Sequence, residues 1–167
     1  LAKTYNLPGD KIVVTYEGVG EKFQHPAFSI QHSAQVLSKY KISKPFVIYT
    51  GSVYPHKNVE RLIQSIKLLN HSHVTCHMSP VTLIVSCSRN IFWERLKNKI
   101  QKLGAEEFIN LVGFVPDEEL AVLYTQAEAF VFPTLSEGFG LPGLEAMACG
   151  CPVVCSDIPV LREIYGE

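Results

Sequence analysis

Six short apolar runs punctuate this chain, at Ile12–Thr15, Phe46–Thr50, Val81–Ser86, Ile109–Val112, Ala129–Phe132 and Val153–Cys155. Most are continuous, not alternating, which is the pattern of strands covered on both faces. Helix-like segments lie between them: Ser33–Tyr40, Val59–Leu69, Phe92–Leu103, Asp117–Tyr124 and Leu141–Cys149. In the second of these, Val59, Leu62, Ile63, Ile66 and Leu69 recur at the three-and-four spacing of one helical face, with Asn58 placed to cap it. Such alternation predicts an α/β fold, a Rossmann-like parallel sheet with helices on both faces and right-handed crossovers. Sheets of this kind bind ligands beyond the carboxyl ends of their strands. The loops where function is expected are therefore 51–58, 87–91, 113–117 and 133–141. Residues 70–80 are the longest irregular stretch, and no repeat or linker divides 1–167, which reads as a single domain.

The 167 residues are 47% hydrophobic and 19% charged, an ordinary globular balance that excludes disorder. Fifteen Lys and Arg against sixteen Asp and Glu leave a formal net charge of -1, so no broad field attracts nucleic acid or anionic lipid, and any anion site must be local. The longest apolar stretches are strand-sized, far below the ~20 residues a membrane-spanning helix needs. The opening Leu1-Ala2-Lys3-Thr4 shows no secretory signal, and a first residue other than Met reads as a piece of a longer protein. Cysteines at 76, 87, 149, 151 and 155 are odd in number and mostly within apolar runs. Free buried thiols in a reducing, cytoplasmic setting are expected. His71, His73, Cys76 and His77 have a metal-like spacing without a separated second pair, so no metal site is assigned.

The most informative loop runs from Phe130 to Cys149, a strand, a glycine-bearing turn, then a helix. Pro142 suits the first helical turn, where its missing N–H removes no hydrogen bond. Gly138 and Gly140 free the backbone for close approach to a ligand, and the helix N-terminus adds unpaired N–H groups with partial positive charge. A phosphate is the expected occupant. Glu137 and Glu145 flank those glycines, and carboxylates accept paired hydrogen bonds from sugar or ribose diols without a metal. The plainer alternative makes Glu137 a complement to the helix dipole and Glu145 a solvated residue. Gly138, Gly140 and Gly143 also spell G-x-G-x-x-G, with Asp157 after the next strand, which would suit a dinucleotide-dependent oxidoreductase. Four residues between Pro133 and the first glycine, and the late position in the chain, argue against that.

Two other strand-end loops add to the pattern. Gly51-Ser52-Val53-Tyr54-Pro55-His56-Lys57-Asn58 ends in a cation at a helix start, placed to neutralise a diphosphate. Gly113-Phe114-Val115-Pro116-Asp117 offers Phe114 to border a flat base, or else to fill the core, with Asp117 capping the next helix.

Glu137 and Glu145, with Gly138-Phe139-Gly140-Leu141-Pro142 between them, resemble the E-x7-E signature of family-four retaining glycosyltransferases, which have the GT-B fold. Lys11–Val19, Tyr49–Ser52 with Pro55–Asn58, Val112–Leu120 and Ala148–Val154 are similar to further segments of that family. The resemblance implies a nucleotide-sugar donor domain lacking the N-terminal acceptor domain and the closing helices. Under it, Glu137 with the Phe139–Leu141 backbone would meet the donor sugar and phosphates. Glu145 would hold the ribose, Lys57 the diphosphate, and Phe114 with Val115 the base; Gly51, Ser52 and Gly138 belong to the phosphate loops. Many members carry Arg where Ser52 stands, so a second phosphate cation is missing or comes from elsewhere. The Gly51-Ser52 and Pro55–Asn58 form is similar to mannosyltransferase-like members, which ranks GDP-mannose before a UDP-sugar. The implied parent is a hexosyltransferase acting on a glycan or lipid-linked acceptor, catalytic through Glu137 and Lys57, metal-independent, cytoplasmic or peripheral at the membrane. A non-catalytic nucleotide-sugar-binding module is the alternative.

Overall fold

The computed structural model describes residues 2–24, 26, 28–72 and 79–166. Five strands, β1 (Phe46–Thr50), β2 (Thr82–Ser86), β3 (Ile109–Gly113), β4 (Ala129–Phe132) and β5 (Val153–Cys155), form one sheet in the order β3-β2-β1-β4-β5. Every pairing is parallel, with Ile48 opposite Ile84 on one side and Phe130 on the other. In β1, β2 and β4 the apolar runs behave as their composition dictates, with Phe46, Ile48, Tyr49, Leu83, Ile84, Val85 and Phe130 fully buried; β5, at the sheet edge, is not covered on both faces, Val154 being 57% exposed.

The helices are α1 (Ala2–Tyr5), α2 (Glu21–Gln24), α3 (Ile30–Lys39), α4 (Val59–His71), α5 (Ile91–Leu103), α6 (Asp117–Gln126), α7 (Leu141–Ala148) and α8 (Pro159–Tyr165). α4 and α5 pack on each other, while α2, α3, α6 and α7 form a second group. Right-handed crossovers that move outward in opposite directions from β1 and β4 put these groups on opposite faces. Four of the five residues of the predicted α4 face, Val59, Leu62, Ile63 and Ile66, are buried, whereas Leu69, near the end of the helix, is 44% exposed. Ser29 caps α3, its Oγ accepting from His32 N at 3.1 Å, and the Asn90 side chain caps α5 by accepting from Phe92 N and Trp93 N.

Three local expectations fail. Ile12–Thr15 has no regular secondary structure and pairs with no strand among the described residues, and Val13 and Val14 are 81% and 72% exposed. Apolar, β-prone side chains do not make a strand where no sheet edge lies alongside. Tyr16 instead reaches across the fold to Glu163, 2.8 Å away, with its ring beside Phe139. Asn58 stands at the N-cap of α4, yet in the left-handed conformation and without a capping bond; its Nδ2 donates to Pro133 O at 3.2 Å. Asp117 is the first residue of α6, not its cap, which is Pro116.

Cys87, Cys149, Cys151 and Cys155 are free; the first three are buried as expected, whereas Cys155 is exposed. Burial pushes the thiols of Cys87, Cys149 and Cys151 up to about 11, which fits packing and not nucleophilic residues. Of the metal-like cluster, His73, Cys76 and His77 lie outside the described residues. His71 is on α4, its Nδ1 2.8 Å from Lys67 O.

The start of α7 depends on two glycines facing Tyr165. Gly140 takes φ +94° at the N-cap, and its carbonyl accepts from the Tyr165 hydroxyl at 2.5 Å. A Cβ on Gly143 would lie 2.1 Å from that hydroxyl and 2.3 Å from Cζ. Gly143→Ala should therefore destabilise the protein by about 1–3 kcal/mol. In urea unfolding, the added cost of Gly143→Ala should shrink in a Tyr165→Ala background; equal costs in both backgrounds would refute the contact.

Candidate functional site

Strand order reverses between β1 and β4, because β2 and β3 lie on one side of β1 and β5 lies beyond β4. At such a switch point the loops following the two central strands diverge, leaving a crevice at the carboxyl end of the sheet. The loops 51–58 and 133–140 are its lips. They are joined across the gap by Leu135 N donating to His56 O at 2.8 Å, by the Asn58–Pro133 bond, and by an ion pair between Lys57 Nζ and Glu137 Oε2.

That pair is largely sheltered, with Lys57 and Glu137 side chains 13% and 16% exposed. Sequence puts Lys57 there through a turn: Pro55–Lys57 form a single 3-10 turn, pre-set by proline at its start. Lys57 also lies over the Phe132 ring at 5.5 Å, and the other Glu137 oxygen accepts from Gly138 N at 3.0 Å. Each charge thus has partners within the protein. Such a pair contributes little net stability, but removing one member leaves a sheltered charge uncompensated.

Beside the lips lies a cavity of about 380 Å³ at the ends of β1, β2 and β3. Gly51, Ser52, Phe114, Val115 and Glu145 line it, so five of the sequence-predicted residues meet in one place. Phe114 is 71% exposed at the rim while Val115 is buried, which resolves the choice between rim and core for Phe114. Lys57 and Glu137 are not in this lining; they form the pair alongside, and Gly138, Phe139, Gly140 and Leu141 lead from Glu137 into α7. Tyr49, buried in β1, fixes the first loop by donating to Ser52 O at 2.6 Å, and its own hydroxyl is held well above its usual range by burial.

Glu145, in the second turn of α7, is half-buried. Burial pushes its carboxyl up, the Asp117 carboxylate adds to this, and the Tyr124 hydroxyl opposes it. Close by, the buried hydroxyls of Thr50 and Tyr124 make no hydrogen bond of good geometry among the described residues, although Tyr124 lies near enough to Thr50 and to Glu145 to act on both. An acid raised by desolvation next to unsatisfied hydroxyls is a poor arrangement for stability and a good one for receiving a polar ligand.

Sequence reasoning missed several lining residues. Thr50, Ser86, Ser88 and Asn90 face the cavity; the loop 87–91 was flagged by topology, but nothing in it marked individual residues. Arg89 packs its guanidinium against Gly113 and over Trp93, a cation on the β2 side of the crevice. Tyr165 carried no signal, being 25 residues from the glycine it contacts. The dinucleotide alternative loses its geometry: Gly143 is covered by Tyr165, and Asp157 is paired with Arg162 beyond β5, lining a different cavity.

The family described as "Glycosyl transferases group 1" matches residues 34–167. O-antigen chain mannosyltransferase B of Escherichia coli is 36% identical over 170 residues, covering 100% of this chain and 42% of that protein. The chain thus spans about two fifths of the length of this relative. Among solved structures, WaaG, a glycosyltransferase involved in lipopolysaccharide biosynthesis, matches with a TM-score of 0.78 at 18% identity, over 98% of this chain and 43% of that one. HepE of Anabaena, solved with UDP and glucose, matches with a TM-score of 0.64 at 22% identity over 81% of this chain and 36% of its own. No helix among the described residues is long and apolar enough to cross a membrane. With its parallel sheet, its switch-point crevice and these relationships, the chain belongs to the group 1 glycosyl transferases, as the C-terminal, Rossmann-like domain of their GT-B fold.

Proposed function

We propose that this domain binds a nucleoside-diphosphate sugar in the switch-point crevice, and that the protein it belongs to transfers the hexose, with retention of configuration, to a glycan or lipid-linked acceptor. The observation that carries this reading is the Lys57–Glu137 pair bridging the two central loops, with the Glu145 cavity beside it. A cation and a carboxylate in contact are what a phosphate next to a sugar requires: one group for each. The Phe114 face takes the base, Glu145 accepts from the ribose hydroxyls, and Lys57 with the N-terminus of α7 takes the diphosphate. Glu137, released from Lys57, accepts from a sugar hydroxyl.

In the transfer itself the bond between the anomeric carbon and the phosphate oxygen breaks, and negative charge grows on the departing diphosphate. Fixed charges already in place stabilise that change without reorganising. Lys57 and the first N–H groups of α7 are the contributors from this domain, and Glu137 orients the sugar. GDP-mannose is the preferred donor on the strength of the mannosyltransferase relative; a UDP-sugar ranks second, supported by the UDP complex of HepE. The acceptor sits on the part of the protein beyond this domain, so the isolated chain is expected to bind donor without transferring sugar. With cationic charge supplied by Lys57 and α7, nucleotide binding should survive EDTA; a strict requirement for magnesium or manganese would contradict the reading.

The ion pair gives the two lip residues opposite signatures. Glu137→Gln frees Lys57, so a bare nucleoside diphosphate should bind severalfold tighter, while the full donor loses its sugar contact and binds about tenfold weaker. Lys57→Ala should weaken both, and diphosphates more than nucleosides. Calorimetry with nucleoside, nucleoside diphosphate and nucleotide sugar checks this; Glu137→Gln weakening all ligands alike would sink the assignment.

Glu145 should trade stability for binding. At acid pH its carboxyl is protonated whether folded or not, and Glu145→Gln should change unfolding little. As pH rises from 4.5 through the raised folded value, the unfolded chain releases its proton first and the wild type loses stability that the Gln variant keeps. Denaturant midpoints should therefore favour Glu145→Gln increasingly toward neutral pH, while nucleotide affinity falls about tenfold. A variant less stable than wild type at neutral pH would overturn this.

A further inference from the structure

A second cavity, of about 630 Å³, opens between the N-terminal halves of α4 and α5, on the outer side of the crevice lips, which contribute Tyr54, Pro55, Asn58 and Leu135 to it. One wall is aromatic and aliphatic: Tyr54 and Phe92 meet edge to face with centroids 4.7 Å apart, and Leu135 is 61% exposed beside them. The same cavity is lined by three cationic side chains, Arg61 from α4 and Arg95 and Lys99 from α5, and by a single carboxylate, Glu60. That carboxylate is already taken, since Lys99 Nζ lies 2.6 Å from Glu60 Oε1. Arg61 and Arg95 have no carboxylate partner among the described residues; Arg95 lies over the Phe92 ring at 5.4 Å.

Two arginines from separate helices, neither with a carboxylate partner among the described residues, line one concavity of a chain with net charge -1 and concentrate positive charge there. The guanidinium fork matches the oxygens of a phosphate, and an aromatic wall accepts apolar or carbohydrate surface. We propose that this cavity binds a phosphate ester, with Arg61 and Arg95 holding the phosphate and Tyr54, Phe92 and Leu135 packing on its organic group. Tyr54 borders the crevice cavity as well, so the occupant lies next to the donor site without using Lys57, Glu137 or Glu145. A soluble phosphorylated sugar and a phospholipid headgroup share this chemistry.

Calorimetric titrations with octyl phosphate, glucose 1-phosphate and inorganic phosphate, each with and without a saturating nucleoside diphosphate (GDP or UDP, whichever the domain binds more tightly), test the site. At least one ester should bind with Kd about 1 mM or tighter, more tightly than inorganic phosphate, and equally well in the presence of the nucleotide. The double variant Arg61→Gln/Arg95→Gln, at exposed helix positions, should lose at least tenfold in ester affinity while keeping its circular dichroism and nucleotide binding. Lys97→Gln, on α5 but outside the cavity lining, should change nothing. Co-sedimentation with phosphatidic acid vesicles, measured against phosphatidylcholine, assigns a lipid-borne ester; glucose 1-phosphate binding without sedimentation assigns a soluble one. The proposal fails if no probe saturates, if inorganic phosphate binds as well as the esters, or if the bound nucleoside diphosphate displaces them. It fails equally if the double variant binds like wild type or Lys97→Gln loses as much. Because the esters are titrated without nucleotide as well, a failure of the donor reading would leave these outcomes legible.

Discussion

The reversal of strand order between β1 and β4 is the constraint from which the rest follows. Right-handed crossovers send α4 to one face and α7 to the other, so the chain leaving these two neighbouring strands must part. A gap opens where the backbone groups of both loops lack sheet partners. The protein closes it with the Leu135–His56 and Asn58–Pro133 bonds and with the Lys57–Glu137 pair. The contacts that keep the lips of the crevice in register are thus also the groups a charged ligand would engage.

That double duty shapes the electrostatics. An unmatched lysine in a sheltered position would be costly, and so would an unmatched glutamate; together they are tolerable. A ligand that replaces one partner for each restores the balance, whereas a ligand offering only phosphate leaves Glu137 facing negative charge. Under the proposed function, this arrangement would favour a sugar-bearing diphosphate over a bare one. Glu145 follows related logic: its half-buried carboxyl and the unsatisfied hydroxyls of Thr50 and Tyr124 are a local cost that a ribose could relieve.

The sheet was legible because its strands are apolar on both faces, a pattern independent of distant partners, and all five observed strands coincide with predicted runs. Ile12–Thr15 has the same composition but no neighbouring edge, and composition does not report neighbours. Lys57, Glu137 and Glu145 could each be placed on a loop or helix start from local signals. Their coupling could not: Lys57 and Glu137 are 80 residues apart, and only the strand order brings them together. Asn58 and Asp117 show the limit at shorter range, since capping propensity was right about the helix boundary to within a residue while the side chains found other roles. Tyr165 lay beyond any sequence argument, although the glycines it demands at 140 and 143 were visible and were open to a different explanation.

The most direct test of the account is a crystal structure of this domain with a nucleoside-diphosphate sugar bound. The expected result has the Lys57 ammonium on a diphosphate oxygen, Glu137 turned to a sugar hydroxyl, Glu145 on the ribose and the base against Phe114, with the Lys57–Glu137 contact opened. A donor bound away from the two central loops, or one seated there with that ion pair intact and the phosphates held by other groups, would contradict it.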